Sequence, residues 1–335
     1  MFSRYLLAGA VLVGTALSAA AETKMPFALD WRFEGPAAPY VVAREKGYFK
    51  DQGLDVELVE GKGSLDAIPK VATGAYPVGL ADVEALIKFL DANPGAPVTA
   101  AMVIYNRPAT AMVGRKSQGI EKISDIEGKV LGAPPPDGAW AQFPLFAKLN
   151  GLDMDKITVE PLGFPTREPM LAEGTVQAVT GFSFSIYLSL ARLGVSEEDI
   201  SVFPFADYGL DYYGSAVIVN TDYAKAHPEE ITGFLSAVVK GWQTAIADPS
   251  AAVEMMPAYA PAIDTALETR RLQLAIDGNV MTDEVKANGF GGMVPERFAK
   301  ALDQMKTAYA FKNAPTPELY FTDAYLPAAD LRKMQ

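Results

Sequence analysis

The sequence predicts an α/β protein of two lobes, each a mostly parallel sheet flanked by helices. Three observations predict it. The length of 335 residues suits about two domains. A strand–turn–helix–turn–strand pattern occurs twice. Two further apolar strands stand where the chain would cross from one half to the other. With 50% hydrophobic and 21% charged residues, there is ample material for a core and too little charge for disorder.

The chain opens on a segment that reads as an export signal. Arg4 supplies a short positive region, Tyr5 to Leu17 is uncharged and mostly apolar, and Ala19-Ala20-Ala21 fits the small-residue cleavage rule. The apolar stretch is about 13 residues, short of the roughly 20 that span a bilayer. Residues 1–21 are therefore expected to be a signal peptide, with a mature chain starting near Glu22 in a periplasm. No cysteine exists to carry a lipid anchor at the cleavage site.

The duplicated units lie about 100 residues apart. In the first, Gly53-Leu54-Asp55 precedes a strand over Val56 to Val59. Gly61-Lys62-Gly63-Ser64 leads into a helix over Leu65 to Thr73, and Gly74 precedes the strand Val78 to Ala81. In the second, Gly151-Leu152-Asp153 precedes Ile157 to Val159. Gly163-Phe164-Pro165-Thr166 leads into Arg167 to Glu173, and Gly174 precedes Val176 to Val179. Ser64 and Thr166 fit helix N-caps, and each unit is a βαβ module of the kind that builds parallel sheets. Pro69 inside the first helix predicts a kink or a late start.

The strands Ala109 to Val113 and Ala216 to Val219 are the expected crossings. Lobe 1 would hold residues 22–110 plus 215–335, and lobe 2 residues 111–214. After Asn220 the patterning is mainly helical, as in Glu230 to Ala247, interrupted by Pro228, Pro249, Pro257 and Pro261.

Composition removes much chemistry. Lys plus Arg is 29 and Asp plus Glu is 41, a formal charge of −12, which opposes nucleic acid and anionic lipid. The absence of cysteine excludes disulfides, thiolate metal sites and cysteine nucleophiles, and a single histidine, His227, excludes His-rich metal sites. His227-Pro228-Glu229 reads as a helix start. Gly61 to Asp66 misses the final glycine of the dinucleotide fingerprint, Gly128-Lys129 lacks the rest of a P-loop, and no G-x-S-x-G is present. No catalytic residue, metal or cofactor is assigned. With 41 acids, chance carboxylate pairs carry no weight.

What remains is a series of polar and aromatic residues at strand ends, where open α/β sheets bind ligands. These are Asp30-Trp31, Lys62 to Ser64, Asp82, Tyr105-Asn106-Arg107, Asp137 to Trp140, Thr166-Arg167, Phe182 to Phe184 and Asp207-Tyr208. The candidate ligand-binding set is Trp31, Tyr40, Ser64, Asp82, Tyr105, Asp137, Trp140, Thr166, Arg167, Phe182 and Tyr208.

Several segments resemble one family. They are Leu29-Asp30-Trp31, Gly35-Pro36, Tyr40, the run Ala43 to Phe49, Gly53-Leu54, Gly61 to Ser64, Gly79 to Asp82, Asp125 to Lys129 and Glu173-Gly174. The family is that of the periplasmic solute-binding proteins of ABC importers, in the branch for thiamine pyrimidine precursors, taurine, alkanesulfonates and nitrate. The resemblance spans the mature chain and implies a type II-like two-lobed fold. It implies a monomer that closes on a small solute, then docks on a permease with its ATPase. Related pyrimidine-synthesising enzymes of yeasts share the fold but use a cysteine-rich motif and an active-site histidine, which this chain lacks. A periplasmic enzyme on the same fold and a sensor subunit are the other readings.

Ligand class follows from rings against charge. Trp31, Tyr105, Trp140, Phe182, Phe184 and Tyr208 offer stacking, worth roughly 1–3 kcal/mol per base-like ring. Asp30, Asp82, Asp137 and Asp207 accept from amino or ring N–H groups and repel anions. The expected ligand is a flat, amino-bearing heterocycle such as a thiamine pyrimidine precursor, with a flavin as a larger variant. Ser64, Thr166, Arg107 and Arg167 keep a sulfonate or other oxyanion as the alternative.

Overall fold

The computed structural model describes residues 22–210 and 212–334. The expected signal peptide, residues 1–21, lies outside the described residues. Within them no helix is long and apolar enough to cross a membrane.

The first sheet is built from β1 (Thr23–Ala28), β2 (Leu54–Val59), β3 (Val78–Asp82) and β4 (Val98–Val103). The second holds β5 (Thr110–Arg115), β6 (Val130–Ala133), β7 (Thr158–Pro161), β8 (Ala178–Phe182) and β9 (Ile200–Pro204). The chain then returns to the first sheet with β10 (Ser215–Asn220). Strand orders are β2-β1-β3-β10-β4 and β7-β6-β8-β5-β9. In each sheet the first three strands run parallel and the strand received from the other half runs antiparallel to its neighbours. The duplication read from sequence is therefore a duplication of sheets: β1, β2, β3 correspond to β6, β7, β8.

The helices of the first half are α1 (Ala38–Glu45), α2 (Ser64–Ala72) and α3 (Val83–Ala92). Those of the second are α4 (Gly138–Leu149), α5 (Phe164–Glu173) and α6 (Ser183–Arg192). After β10 come α7 (Thr221–Ala226), α8 (Pro228–Ala247), α9 (Pro249–Val253), α10 (Thr265–Ala275), α11 (Asp283–Asn288), α12 (Pro295–Ala308) and α13 (Pro317–Tyr320). Helix α2 begins at Ser64 and runs through Pro69, so it does not start late.

Apolar faces at helical spacing dictate the packing. Phe27 of β1 meets Tyr40 of α1 edge-on at 5.2 Å and Phe234 of α8 at 5.0 Å. Each such buried ring contributes about 1.5–3 kcal/mol. Helices α1 and α8 approach closely because position 241 is glycine; a Cβ there would lie 2.2 Å from the Pro39 carbonyl. On the other side Phe146 of α4 stacks on Phe205 at 4.4 Å. Phe298 and Met305 of α12 belong to that same buried cluster, so the C-terminal chain reaches the helix layer of the second sheet.

Candidate functional site

The carboxyl ends of the parallel strands converge where the two sheets face each other. Asp30 and Trp31 follow β1, and the loop before α2 is tied back on them by Gly63 N–H to Asp30 O (2.8 Å) and Gly61 N–H to Trp31 O (3.2 Å). Gly63 takes φ +105°, and a Cβ there would lie 2.7 Å from the Pro136 carbonyl of the opposite half. Asp82 ends β3, Asp137 caps α4 after β6, and Phe182 ends β8.

Two buried carboxylates, Asp82 and Asp137, stand with the half-buried Asp30. Asp82 donates its N–H to Ser64 Oγ (3.0 Å), and that hydroxyl lies 3.3 Å from Asp82 Oδ2. Ser215 Oγ stands 3.1 Å from Asp82 Oδ1 and 3.2 Å from Asp30 Oδ2. One hydroxyl carries one proton and cannot donate to both acids, so a proton on one carboxyl completes the set. Burial, reinforced by the charges of Asp30 and Asp137, pushes Asp82 up to about 8. Burial pushes Asp30 up to about 6, opposed by the Ser215 hydrogen bond. Asp137 is also raised by burial, with the Arg167 charge pulling the other way. Asp137 accepts from Ala139 N–H (3.2 Å) and Thr180 Oγ1 (3.0 Å).

Aromatic rings wall this cluster. Trp31 meets Phe164 edge-on at 4.5 Å, and Tyr105 stands 6.0 and 6.1 Å from Phe182 and Phe184. Arg167 lies over the Trp31 ring at 5.8 Å while paired with Glu168 at 2.6 Å. Trp31 Nε1 is buried and makes no hydrogen bond within the protein, which leaves an unpaired donor on a residue that lines the voids. Two voids of about 460 and 380 Å³, mouths included, share Asp30, Trp31, Phe182 and Ser185.

Eight of the eleven candidates line these voids: Trp31, Tyr40, Ser64, Asp82, Tyr105, Asp137, Arg167 and Phe182. Trp140, Thr166 and Tyr208 do not. Trp140 stacks on Phe143 at 6.1 Å, because it sits two residues into α4 and its face turns to the core. Tyr208 packs edge-on against Phe146 at 5.8 Å. Thr166 is exposed and donates to Gly163 O (3.0 Å). Ser64 and Thr166 are not helix caps either; glycines 63 and 163 hold those positions, and the Ser64 hydroxyl is engaged with Asp82. Arg107 and Asp207 pair with each other at the surface.

Sequence reasoning missed Glu34, Phe164, Ser185 and Ser215 as lining residues. Ser215 carried a signal, since it stands directly before the Ala216 strand and opposes Asp82 in the register of β10 on β3.

Two duplicated α/β lobes facing each other across a polar, aromatic-walled cleft define the fold of the periplasmic solute-binding proteins. Among solved structures, the alkanesulfonate-binding protein SsuA from Xanthomonas axonopodis pv. citri is similar with a TM-score of 0.66 at 13% identity, covering 89% of this chain and 96% of that one. The chain belongs to the NMT1/THI5-like family, whose profile matches residues 36–252.

Three relatives of different activity are similar to this chain over most of its length. The 4-amino-5-hydroxymethyl-2-methylpyrimidine phosphate synthase THI13 of Saccharomyces cerevisiae is 26% identical over 80% of this chain and 82% of its own. The formylaminopyrimidine-binding protein of Halalkalibacterium halodurans is 26% identical over 68% of each chain. The riboflavin-binding protein RibY of Chloroflexus aurantiacus is 23% identical over 87% of this chain and 82% of its own.

Proposed function

We propose that this chain is the periplasmic substrate-binding component of an ABC importer. It captures a small, flat, amino-bearing heterocycle of the thiamine-pyrimidine-precursor kind and delivers it to a membrane permease with its ATPase. The observation that carries this is the Asp30–Asp82–Asp137 cluster, which lines one void together with Trp31. Carboxylates accept from an exocyclic amino group, while the free Trp31 Nε1 donor asks for a ring nitrogen or carbonyl; an aminopyrimidine offers both. The carboxyls of the set that stay ionised disfavour a sulfonate or nitrate. The lobes would be residues 22–110 plus 215–335 and 111–214, closing on the solute as a monomer.

A flavin is the larger variant, supported by the riboflavin-binding relative. The enzyme reading is favoured by the synthase relatives. Against it stands the lack of cysteine and the position of His227, against Tyr223 at 4.6 Å and between α7 and α8.

The test is a thermal-shift screen of the mature protein with aminopyrimidines, riboflavin, taurine and nitrate, followed by mass spectrometry of the recovered ligand. A ligand at 100 times its Kd stabilises by about 2.7 kcal/mol. An aminopyrimidine that stabilises and returns unchanged supports the reading. A chemically altered product supports the enzyme.

A further inference from the structure

Two adjacent arginines on α10 join the halves at the rim of the cleft. Helix α10 is anchored to the first half: Leu272 and Ala275 are buried in its core, and Glu268 accepts from Gly35 N–H (2.6 Å). Position 35 must be glycine for this, since a Cβ would lie 2.2 Å from the Glu268 carbonyl.

From that anchor both arginines reach toward α6 of the second half. Arg271, buried, donates to Glu34 Oε2 (2.6 Å), which also accepts from Ser185 Oγ (2.9 Å). Glu34 and Ser185 line the larger void, so this junction touches the space a ligand would fill. Arg270 makes a two-pronged pair with Glu197 (2.6 and 2.8 Å), and Glu197 also accepts from Tyr187 OH (2.7 Å).

We propose that α10 is the latch of the cleft. Arg270, through Glu197, and Arg271, through Glu34 and Ser185, are positioning residues that hold the halves shut and set how long a captured solute stays. The assignment rests on the two-lobed binding reading. Arg270 and Glu197 are half-exposed (48% and 44%), so their contact can break on opening without stranding a charge in the interior. A lone exposed pair is weak, but bidentate geometry with a third partner is the stronger kind. Arg271 and Glu34, by contrast, sit where opening would admit water to a buried pair.

The absence of cysteine makes the test direct. Spin labels at Asp51→Cys and Glu160→Cys, exposed sites on opposite halves, report the distance between them by double electron–electron resonance without any ligand. Arg270→Ala and the near-isosteric Glu197→Gln should each add a longer-distance population. The double variant should add no more than either single one, because both remove the same contact. Sodium chloride at 0.5 M should broaden the parent distribution and leave Arg270→Ala unchanged. Where a ligand has been found, its release should quicken by about 3–10-fold in both variants. Distance distributions identical to the parent in both variants, with the fold intact by circular dichroism, would overturn the latch. A parent protein that binds no screened solute would count against the functional reading while leaving the distance result to stand.

Discussion

Gly138 and Asp82 meet across the cleft: a Cβ at Gly138 would stand 2.1 Å from Asp82 Oδ2. The first residue of α4 and the last of β3 stand on opposite halves, so an opening of the proposed kind would separate them. Gly138 has no left-handed backbone that would bar a side chain.

Gly138→Ala should therefore fold and fail to close. We expect its heterocycle affinity to fall at least tenfold, about 1.4 kcal/mol. Small-angle scattering should show a larger radius of gyration than the parent. Parent-like compaction and affinity in the alanine variant would contradict the contact.

Stability should fall as pH rises. Asp82 is pushed up to about 8 and Asp30 to about 6, against roughly 3.9 in an unfolded chain. Between those values the native state holds protons that the unfolded state has released. The associated stabilisation is fully present below about pH 4 and lost as pH rises through the native pKa values. Asp82→Asn, neutral at every pH, should flatten the fall in Tm between pH 6 and 9. A slope equal to the parent's would mean Asp82 is ionised throughout.

Sequence patterning reached the fold because its signals are local. Glycine turns, alternating apolar strands and Asn220 with its following helix each span a few residues, and they located β2, α2, β3, β5 and β10 within a residue or two, while β8 ends three residues later than the pattern suggests. Strand ends bring Asp30, Trp31, Asp82, Asp137 and Phe182 to the same voids for the same reason: parallel strands deliver their carboxyl ends to one crevice. Where a helix turns the side chain away, as with Trp140 two residues into α4, the strand-end position does not reach the voids. The Glu34–Arg271 junction joins residues 237 apart and leaves no mark on local pattern. The hydroxyl shared by Asp30 and Asp82 comes from Ser215, 133 residues beyond Asp82.

Trp31 is one of three tryptophans, and it alone lines the voids. Ligand should quench its fluorescence, and Trp31→Phe should abolish that quenching. We expect Trp31→Phe to keep part of the stacking and lose the Nε1 donor, and Trp31→Ala to weaken binding at least tenfold. Quenching that survives in Trp31→Phe would place the ligand elsewhere.

Trp140 and Tyr208 serve as controls because they pack in the core beside Phe143 and Phe146. Trp140→Phe and Tyr208→Phe should lower Tm by a few degrees and leave the Kd within about twofold. A tenfold loss of affinity with unchanged Tm would return them to the site.

The most direct test is titration calorimetry of the parent and Asp82→Ala with a 4-aminopyrimidine bearing the thiamine-precursor substitution, with taurine and nitrate alongside. The account predicts that the parent binds the aminopyrimidine and neither anion, and that Asp82→Ala loses at least tenfold, about 1.4 kcal/mol. Tight binding of taurine or nitrate with no heterocycle bound, or parent-like affinity in Asp82→Ala, would contradict it.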